Sequence, residues 1–154
     1  MGAFATDVTR RLHDRLADAR PAFEWKREYR LGTTPADIGG NAAGRLVLVE
    51  LEWRRADPAD NTAKLFRHAV EGSIDADRIV LFQVFTRYYD LTDSGVSSKR
   101  LNAEFVGRVA ADAIEGLSYR PLPIDVDPPK RGGERPAGWR EATDTVVETI
   151  DARL

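Results

Sequence analysis

The sequence predicts an α/β fold, or an α+β fold with a mixed β-sheet, in which helices flank the sheet. Segments with apolar residues at helical spacing alternate with short runs rich in β-branched and aromatic residues. Three strands come one after another before the second helix, and a further strand follows that helix, so the chain crosses over the sheet. The predicted order is helix, strand, short strand, strand, helix, strand and helix, followed by an arm and a C-terminal helix.

The first four elements are marked by capping residues, alternation and turn residues. A helix begins at residue 6 or 7, either of which can cap it, and ends at Pro21. The run FEWKREYRL alternates apolar and charged side chains, which predicts a half-exposed strand with Trp25 and Tyr29 on one face. The glycine-rich stretch GTTPADIGGNAAG is predicted to hold a short second strand around Asp37, and RLVLVELEW forms the third strand.

The later elements follow from the same signals. A second helix begins at Asp57-Pro58, an N-cap followed by proline at the first helical position. The run DRIVLFQVFTRYY is apolar on both faces, which is typical of a buried central strand. A third helix, at about residues 98–115, is predicted to turn Leu101, Phe105 and Val109 inward.

Length and composition indicate one globular domain. The 154 residues are predicted to form an α/β core over 1–117, a proline- and glycine-rich arm over 118–138 and an amphipathic helix over 139–154. The absence of cysteine excludes disulfides, zinc–thiolate sites and thiol nucleophiles. A net charge of −2 excludes a uniformly basic nucleic-acid coat. With no signal-like segment and no apolar run of membrane-spanning length, we expect a cytoplasmic protein without a membrane partner.

The third strand carries two acids where apolar side chains would otherwise continue. In RLVLVELEWRR, residues 45–55, the side chains of Leu48, Glu50 and Glu52 share one face because strand side chains alternate. Two carboxylates at this spacing lie about 7 Å apart at their Cα atoms and project the same way. They are able to share a divalent cation such as Mg²⁺, and Asp37 on the preceding strand is the candidate third acid.

These residues resemble the PD-(D/E)xK nuclease superfamily, which has the restriction-endonuclease-like fold. Pro35-Ala36-Asp37 corresponds to the "PD" half-motif with one residue inserted, and Glu50-Leu51-Glu52 corresponds to the second half-motif. The order helix, three strands, helix, strand is that of the superfamily core and covers residues 6 to about 89. Position 52 is glutamate instead of the usual lysine, so the chain is similar to the E-x-E variant found in some restriction enzymes.

The resemblance implies an endonuclease that hydrolyses DNA phosphodiester bonds with Mg²⁺ or Mn²⁺. Asp37, Glu50 and Glu52 are the implied metal ligands and catalytic residues, with Glu52 as the base. Lys64 in the second helix is a candidate substitute for the missing lysine, and Arg54 and Arg55 are candidate phosphate contacts. Such enzymes often pair, so a homodimer or a partner subunit is expected at the third or the tail helix.

Structural alternatives remain open for each of these residues. Glu50 and Glu52 can pair with arginines on neighbouring strands, Asp37 can form a turn, and Lys64 can lie in solvent on the polar face of its helix. A second functional hypothesis is a catalytically inactive nuclease-fold module that binds nucleic acid or a partner protein. A third is a small interaction protein whose acids are surface charges, which requires Asp37 to point away from Glu50.

Overall fold

The computed structural model describes residues 2–71 and 74–154, and it confirms the predicted fold class and element order. The protein is α+β, with a five-stranded mixed sheet flanked by helices. Its elements are α1 (Ala3–Ala19), β1 (Glu24–Leu31), β2 (Thr34–Ala42), β3 (Arg45–Glu52), α2 (Pro58–Val70), β4 (Arg78–Phe85), a 3-10 turn (Arg87–Tyr89), α3 (Ser98–Ala113), β5 (Leu117–Pro123) and α4 (Trp139–Asp151).

The strands lie in the sheet in chain order, β1-β2-β3-β4-β5. The first three pair as antiparallel hairpins, and β3, β4 and β5 are parallel because α2 and α3 carry the chain back across the sheet. The β2–β3 hairpin turns through Ala43 and Gly44, both with positive φ, as a two-residue hairpin turn requires. This turn fixes the register that brings Asp37 next to Glu50.

Helices cover both faces of the sheet and divide the core into two layers. Val47, Val49 and Leu51 pack under α1 and α4, whereas Leu46 and Leu48 pack under α2 and α3. The alternation in RLVLVELEW therefore places Glu50 and Glu52 on the α2 side of the sheet. No helix in the described ranges has the length and apolarity needed to cross a membrane.

The edge strand β5 corrects the predicted arm. The sequence predicts that 118–138 is irregular, but 118–123 continues β5, which pairs in parallel with β4. Tyr119 and Leu122 are buried, and this burial outweighs the local preference against a strand. Pro121 and Pro123 are tolerated because an edge strand has one side free of ladder hydrogen bonds.

Helix α3 is rotated relative to the predicted orientation. The prediction that Leu101, Phe105 and Val109 face inward is wrong, because they are 52%, 67% and 50% exposed. The helix packs through its small residues instead, since a Cβ at Gly107 would overlap the Tyr119 ring. Because α3 approaches the sheet through its small residues, its larger apolar side chains face the solvent.

Strand β1 changes faces halfway along, so the prediction that Trp25 and Tyr29 share a face is wrong. Trp25 packs in the α1–α4 layer and Tyr29 in the α2–α3 layer. Between them, Glu28 has a φ of 51°, a left-handed conformation that interrupts strand alternation. On the neighbouring strand β2, Gly39 and Gly40 leave room for the two rings, which explains why the glycine-rich segment forms a strand of nine residues.

Candidate functional site

Strands β2 and β3 separate at the point where the acids lie. Their ladder ends at the pair Ile38 and Val49, and side chains then replace the backbone partners. The backbone N–H of Asp37 donates to Glu50 Oε2 at 3.0 Å, and the backbone N–H of Leu51 donates to Asp37 Oδ2 at 2.8 Å. Each acid therefore accepts a hydrogen bond from the backbone of the other strand, just beyond the end of the ladder. These two hydrogen bonds hold Asp37 and Glu50 together.

Asn61 joins the two glutamates of β3. Its Nδ2 group donates to Glu50 Oε1 at 2.7 Å and to Glu52 Oε1 at 2.9 Å. The residue lies in the first turn of α2, whose start is fixed by Pro58 and by the Asp57 side chain, which accepts from the backbone N–H of Asp60. The start of α2 thus determines where the amide meets the two carboxylates.

Gln83 supports Glu52 from the neighbouring strand β4. Its Nε2 group donates to Glu52 Oε1 at 2.7 Å. Its Oε1 atom accepts from the Tyr119 hydroxyl at 2.7 Å and lies 3.0 Å from the Thr62 hydroxyl. Because these hydroxyls occupy the amide oxygen, the amide nitrogen is directed at Glu52. A polar network therefore runs through the sheet interior from β5 to β2.

The glutamates are buried, and one carboxylate oxygen is unsatisfied. Glu50 is 4% exposed and Glu52 is 1% exposed. Glu52 Oε2 is buried and has no hydrogen-bond partner among the described residues, and the nearby Arg55 Nε lies 3.6 Å away. Buried carboxylate oxygens are usually satisfied, so this oxygen marks a functional candidate.

The pKa values of all three acids are raised. Burial, followed by the nearby Asp37 carboxylate, raises the pKa of Glu50 to about 8, against the lowering effect of the Asn61 and Asp37 N–H groups. Burial is also the main cause of the raised pKa values of Asp37 and Glu52, and Arg55 opposes it at both. The cluster therefore has less positive charge around it than three carboxylates require, which favours uptake of protons or cations.

The other predicted residues lie in different places. Lys64 forms an exposed salt bridge with Asp60 at 2.8 Å, and the position in α2 that contacts the glutamates is held by Asn61. Arg55 lies beside Glu52, as expected for a residue at the acidic end of β3.

Arg54 lies outside the acid cluster, near the arm. It donates to the Pro129 carbonyl oxygen at 3.3 Å and lies over the Tyr88 ring at 5.4 Å.

Sequence reasoning missed Asn61 and Gln83 as site residues. The sequence assigns Asn61 to the polar face of α2, and the structure buries it against the acids. Gln83 carried a usable signal, because it is the single polar residue in the apolar run IVLFQVF of a predicted buried strand. A lone amide in such a strand needs a buried partner, and an acid on the adjacent strand is the natural one.

No family model, curated protein or solved structure matches the chain. Within residues 2–71 and 74–154, no group of three or more His, Cys, Asp and Glu side chains is arranged to hold a metal ion. The geometry itself is that of a carboxylate cluster at an opening between two strands. Such a cluster can accept a proton or bind a cation through its oxygens.

Proposed function

We propose that the protein is a metal-dependent endonuclease that hydrolyses DNA with a PD-(D/E)xK-like site. The observation that carries this proposal is the reciprocal hydrogen bonding of Asp37 and Glu50 where β2 and β3 separate. Glu52 adds a third, buried carboxylate beside them. The requirement that Asp37 lie close to Glu50 is therefore met, and the interpretation of these acids as unrelated surface charges loses its support.

The donor atoms, although not arranged around an ion in the described part of the structure, are of the kind that Mg²⁺ or Mn²⁺ prefers. Asp37, Glu50 and Glu52 offer only oxygen atoms, the donors that Mg²⁺ prefers, and one or two carboxylates suffice because the ion keeps several waters. Glu52 Oε2 has no hydrogen-bond donor in the described part of the chain, and burial raises the pKa values of Glu50 and Glu52, so a cation would relieve the cost of ionising them. We propose that Asp37 and Glu50 hold the ion and that Glu52 completes the site. When bound, the ion supplies positive charge that polarises the phosphate and acidifies a water.

Glu52 is suited to accept a proton from the attacking water. Burial raises its pKa, which makes the carboxylate a stronger base than an exposed glutamate. Asn61 and Gln83 both bind Oε1, so the lone pairs of the second oxygen are not used by these two amides. Arg55 Nε, 3.6 Å from Oε2, favours the ionised form that a base requires.

We propose that DNA is the substrate and that the protein acts in the cytoplasm. Arg55 is exposed beside Glu52 and is the candidate contact for a phosphate at the acids, and the exposed Arg54, near the arm, is the candidate contact for a phosphate farther away. Such contacts position a nucleic acid without reading its sequence.

A catalytically inactive module that binds nucleic acid is the second candidate. This candidate is supported by the hydrogen bonds within the site. Asn61, Gln83 and backbone N–H groups already donate to most of the carboxylate oxygens. Lys64 pairs with Asp60 on the outer surface of α2 and does not contact the glutamates. In this alternative the network is a structural remnant of lost chemistry.

We propose further that two copies pair through the exposed stripe of α3. The stripe is symmetric about Phe105, with Leu101 and Val109 four residues to either side. Ser98 and Asp112 lie seven residues to either side, so antiparallel pairing brings each Asp112 to the start of the partner helix. That first turn has no acidic residue and no side-chain cap, so a carboxylate there is favourable.

A DNA cleavage assay separates the two candidates. Wild type, Glu50→Ala and the exposed control Glu24→Ala are incubated with plasmid and single-stranded DNA in Mg²⁺ or Mn²⁺, with EDTA as a blank. The proposal expects cleavage by wild type and Glu24→Ala that Glu50→Ala and EDTA abolish. DNA binding without cleavage under any of these conditions would favour the inactive module, and neither binding nor cleavage would reject both.

A further inference from the structure

A basic cleft lies at the opposite end of the sheet from the acids. It occupies about 380 Å³ where β3, β4 and β5 begin, and four arginines line it: Arg45, Arg78, Arg120 and Arg153. Glu50 is five residues beyond Arg45 along β3, or about 17 Å at the usual strand rise. The arginine cleft is therefore separate from the carboxylate cluster.

The sheet register brings the arginines together on one face. Arg45 and Arg78 are direct partners in the parallel β3–β4 ladder, so their side chains leave the same side of the sheet. Arg120 on β5 pairs with Phe82, which packs in the α1–α4 layer, and Arg153 follows α4 on that side. Like charges directly opposite one another destabilise a sheet unless something neutralises them.

Within residues 2–71 and 74–154, Arg78, Arg120 and Arg153 form no ion pair. Arg45 has partners of its own: its Nη2 donates to the Leu154 main-chain oxygen at 2.7 Å, and its guanidinium lies 5.6 Å from the Phe23 ring centroid.

The acid nearest in the chain, Asp77, directs its carboxylate at the Gly44 turn. Within the described ranges it forms no ion pair with the four arginines. Arg78, Arg120 and Arg153 are thus available for a ligand.

We propose that the arginine cleft binds a compact phosphate compound, such as pyrophosphate or a nucleoside monophosphate. Planar guanidinium groups bind phosphate oxygens in pairs, which favours phosphate over a simple halide. The cleft volume lies within the range of small-molecule sites. Binding at the arginine cleft does not depend on hydrolysis at the carboxylate cluster.

Calorimetric titration of the intact chain with pyrophosphate tests the proposal. Wild type is expected to bind, and the double variant Arg78→Gln/Arg120→Gln to bind at least about tenfold more weakly, because two charge-assisted contacts are lost. Arg27→Gln, which removes an exposed arginine from β1, is the matched control and should keep the wild-type affinity. Thermal unfolding checks folding, and the double variant should melt no lower than wild type because repulsion is relieved.

Competition experiments and single variants extend the titration. Adenosine monophosphate is expected to compete with pyrophosphate, and a short DNA duplex is expected not to. The single variants Arg78→Gln and Arg120→Gln are each expected to weaken binding, which keeps the test informative should the double variant fold poorly. The proposal is overturned by absence of pyrophosphate binding, by equal affinity in wild type and the variants, or by binding of the duplex alone.

Discussion

Replacing Glu52 with glutamine tests the reasoning about the buried carboxylate cluster without any substrate. Glu52 is 1% exposed, and its Oε2 atom has no hydrogen-bond partner within residues 2–71 and 74–154. A glutamine can keep its oxygen at the Oε1 position, where Asn61 and Gln83 donate, and place its nitrogen at the unsatisfied position. The variant Glu52→Gln therefore removes a buried charge while retaining two hydrogen bonds.

The expected gain in the free energy of unfolding at pH 8 is about 1 to 3 kcal/mol, because wild type must ionise a buried, incompletely paired carboxylate whereas the amide is neutral. For a chain of this length, about 2 to 4 °C of Tm corresponds to each kcal/mol. The variant should thus melt about 2 to 12 °C higher than wild type in EDTA. The weak attraction to the exposed Arg55 is lost but is the smaller contribution.

The gain should depend on pH with a definite sign. Because burial raises the pKa of Glu52 in the folded state above its ordinary value of 4.5, folded wild type holds a proton that the unfolded chain releases. Wild type therefore loses stability as pH rises from about 4.5 through the raised pKa. The advantage of Glu52→Gln should be large at pH 8 and small at pH 4.5.

Circular dichroism melts at both pH values provide the measurement. Glu24→Gln is the control, because Glu24 is exposed and pairs only with Lys26, and it should shift stability by less than about 0.5 kcal/mol. A lower Tm for Glu52→Gln at pH 8 would mean that the charged carboxylate is a net stabiliser, and the reasoning from its unsatisfied oxygen would fail.

Three further outcomes are expected. Mg²⁺ at ten times its dissociation constant should stabilise wild type by about 1.4 kcal/mol in thermal melts and leave Glu50→Gln unchanged; an equal shift in both would place the ion elsewhere. Gly107→Ala should lower the free energy of unfolding by about 1 to 3 kcal/mol, because its Cβ overlaps the Tyr119 ring, whereas Gly138→Ala, with open space around it, should be nearly neutral in denaturant titrations. Phe105→Glu should shift the protein towards monomer in sedimentation velocity if α3 forms the dimer interface, and an unchanged sedimentation coefficient would argue against that interface.

The meeting of Asp37 and Glu50 could be predicted because it depends on local rules. The two residues lie on strands joined by a two-residue turn, so the hairpin register alone brings them together. The burial of Asn61 and Gln83 depends on how α2 and β4 return to the sheet, and nothing in a short window reports that geometry. The contacts of the two amides with the acids were therefore beyond sequence reasoning, although the lone polar Gln83 in an apolar strand signalled a buried partner.

The error in α3 has a different cause. Helical periodicity identifies an apolar stripe but does not say whether that stripe faces the sheet. Here the opposite face carries Ala103 and Gly107, whose small size allows the helix to approach Tyr119 closely. The strand β5 was missed because Pro121 and Pro123 predict irregular structure unless the strand is known to lie at an edge.

The rate of Mg²⁺-dependent DNA cleavage by wild type and Asp37→Asn tests the central claim most directly. The asparagine side chain in this variant would keep an oxygen for the Leu51 N–H group, so the fold and the strand opening should be preserved while one carboxylate charge is lost. We predict cleavage by wild type and a loss on the order of 100-fold in the variant, equivalent to the several kcal/mol of charge stabilisation that a metal site supplies. Equal cleavage rates for the two folded proteins would contradict the claim.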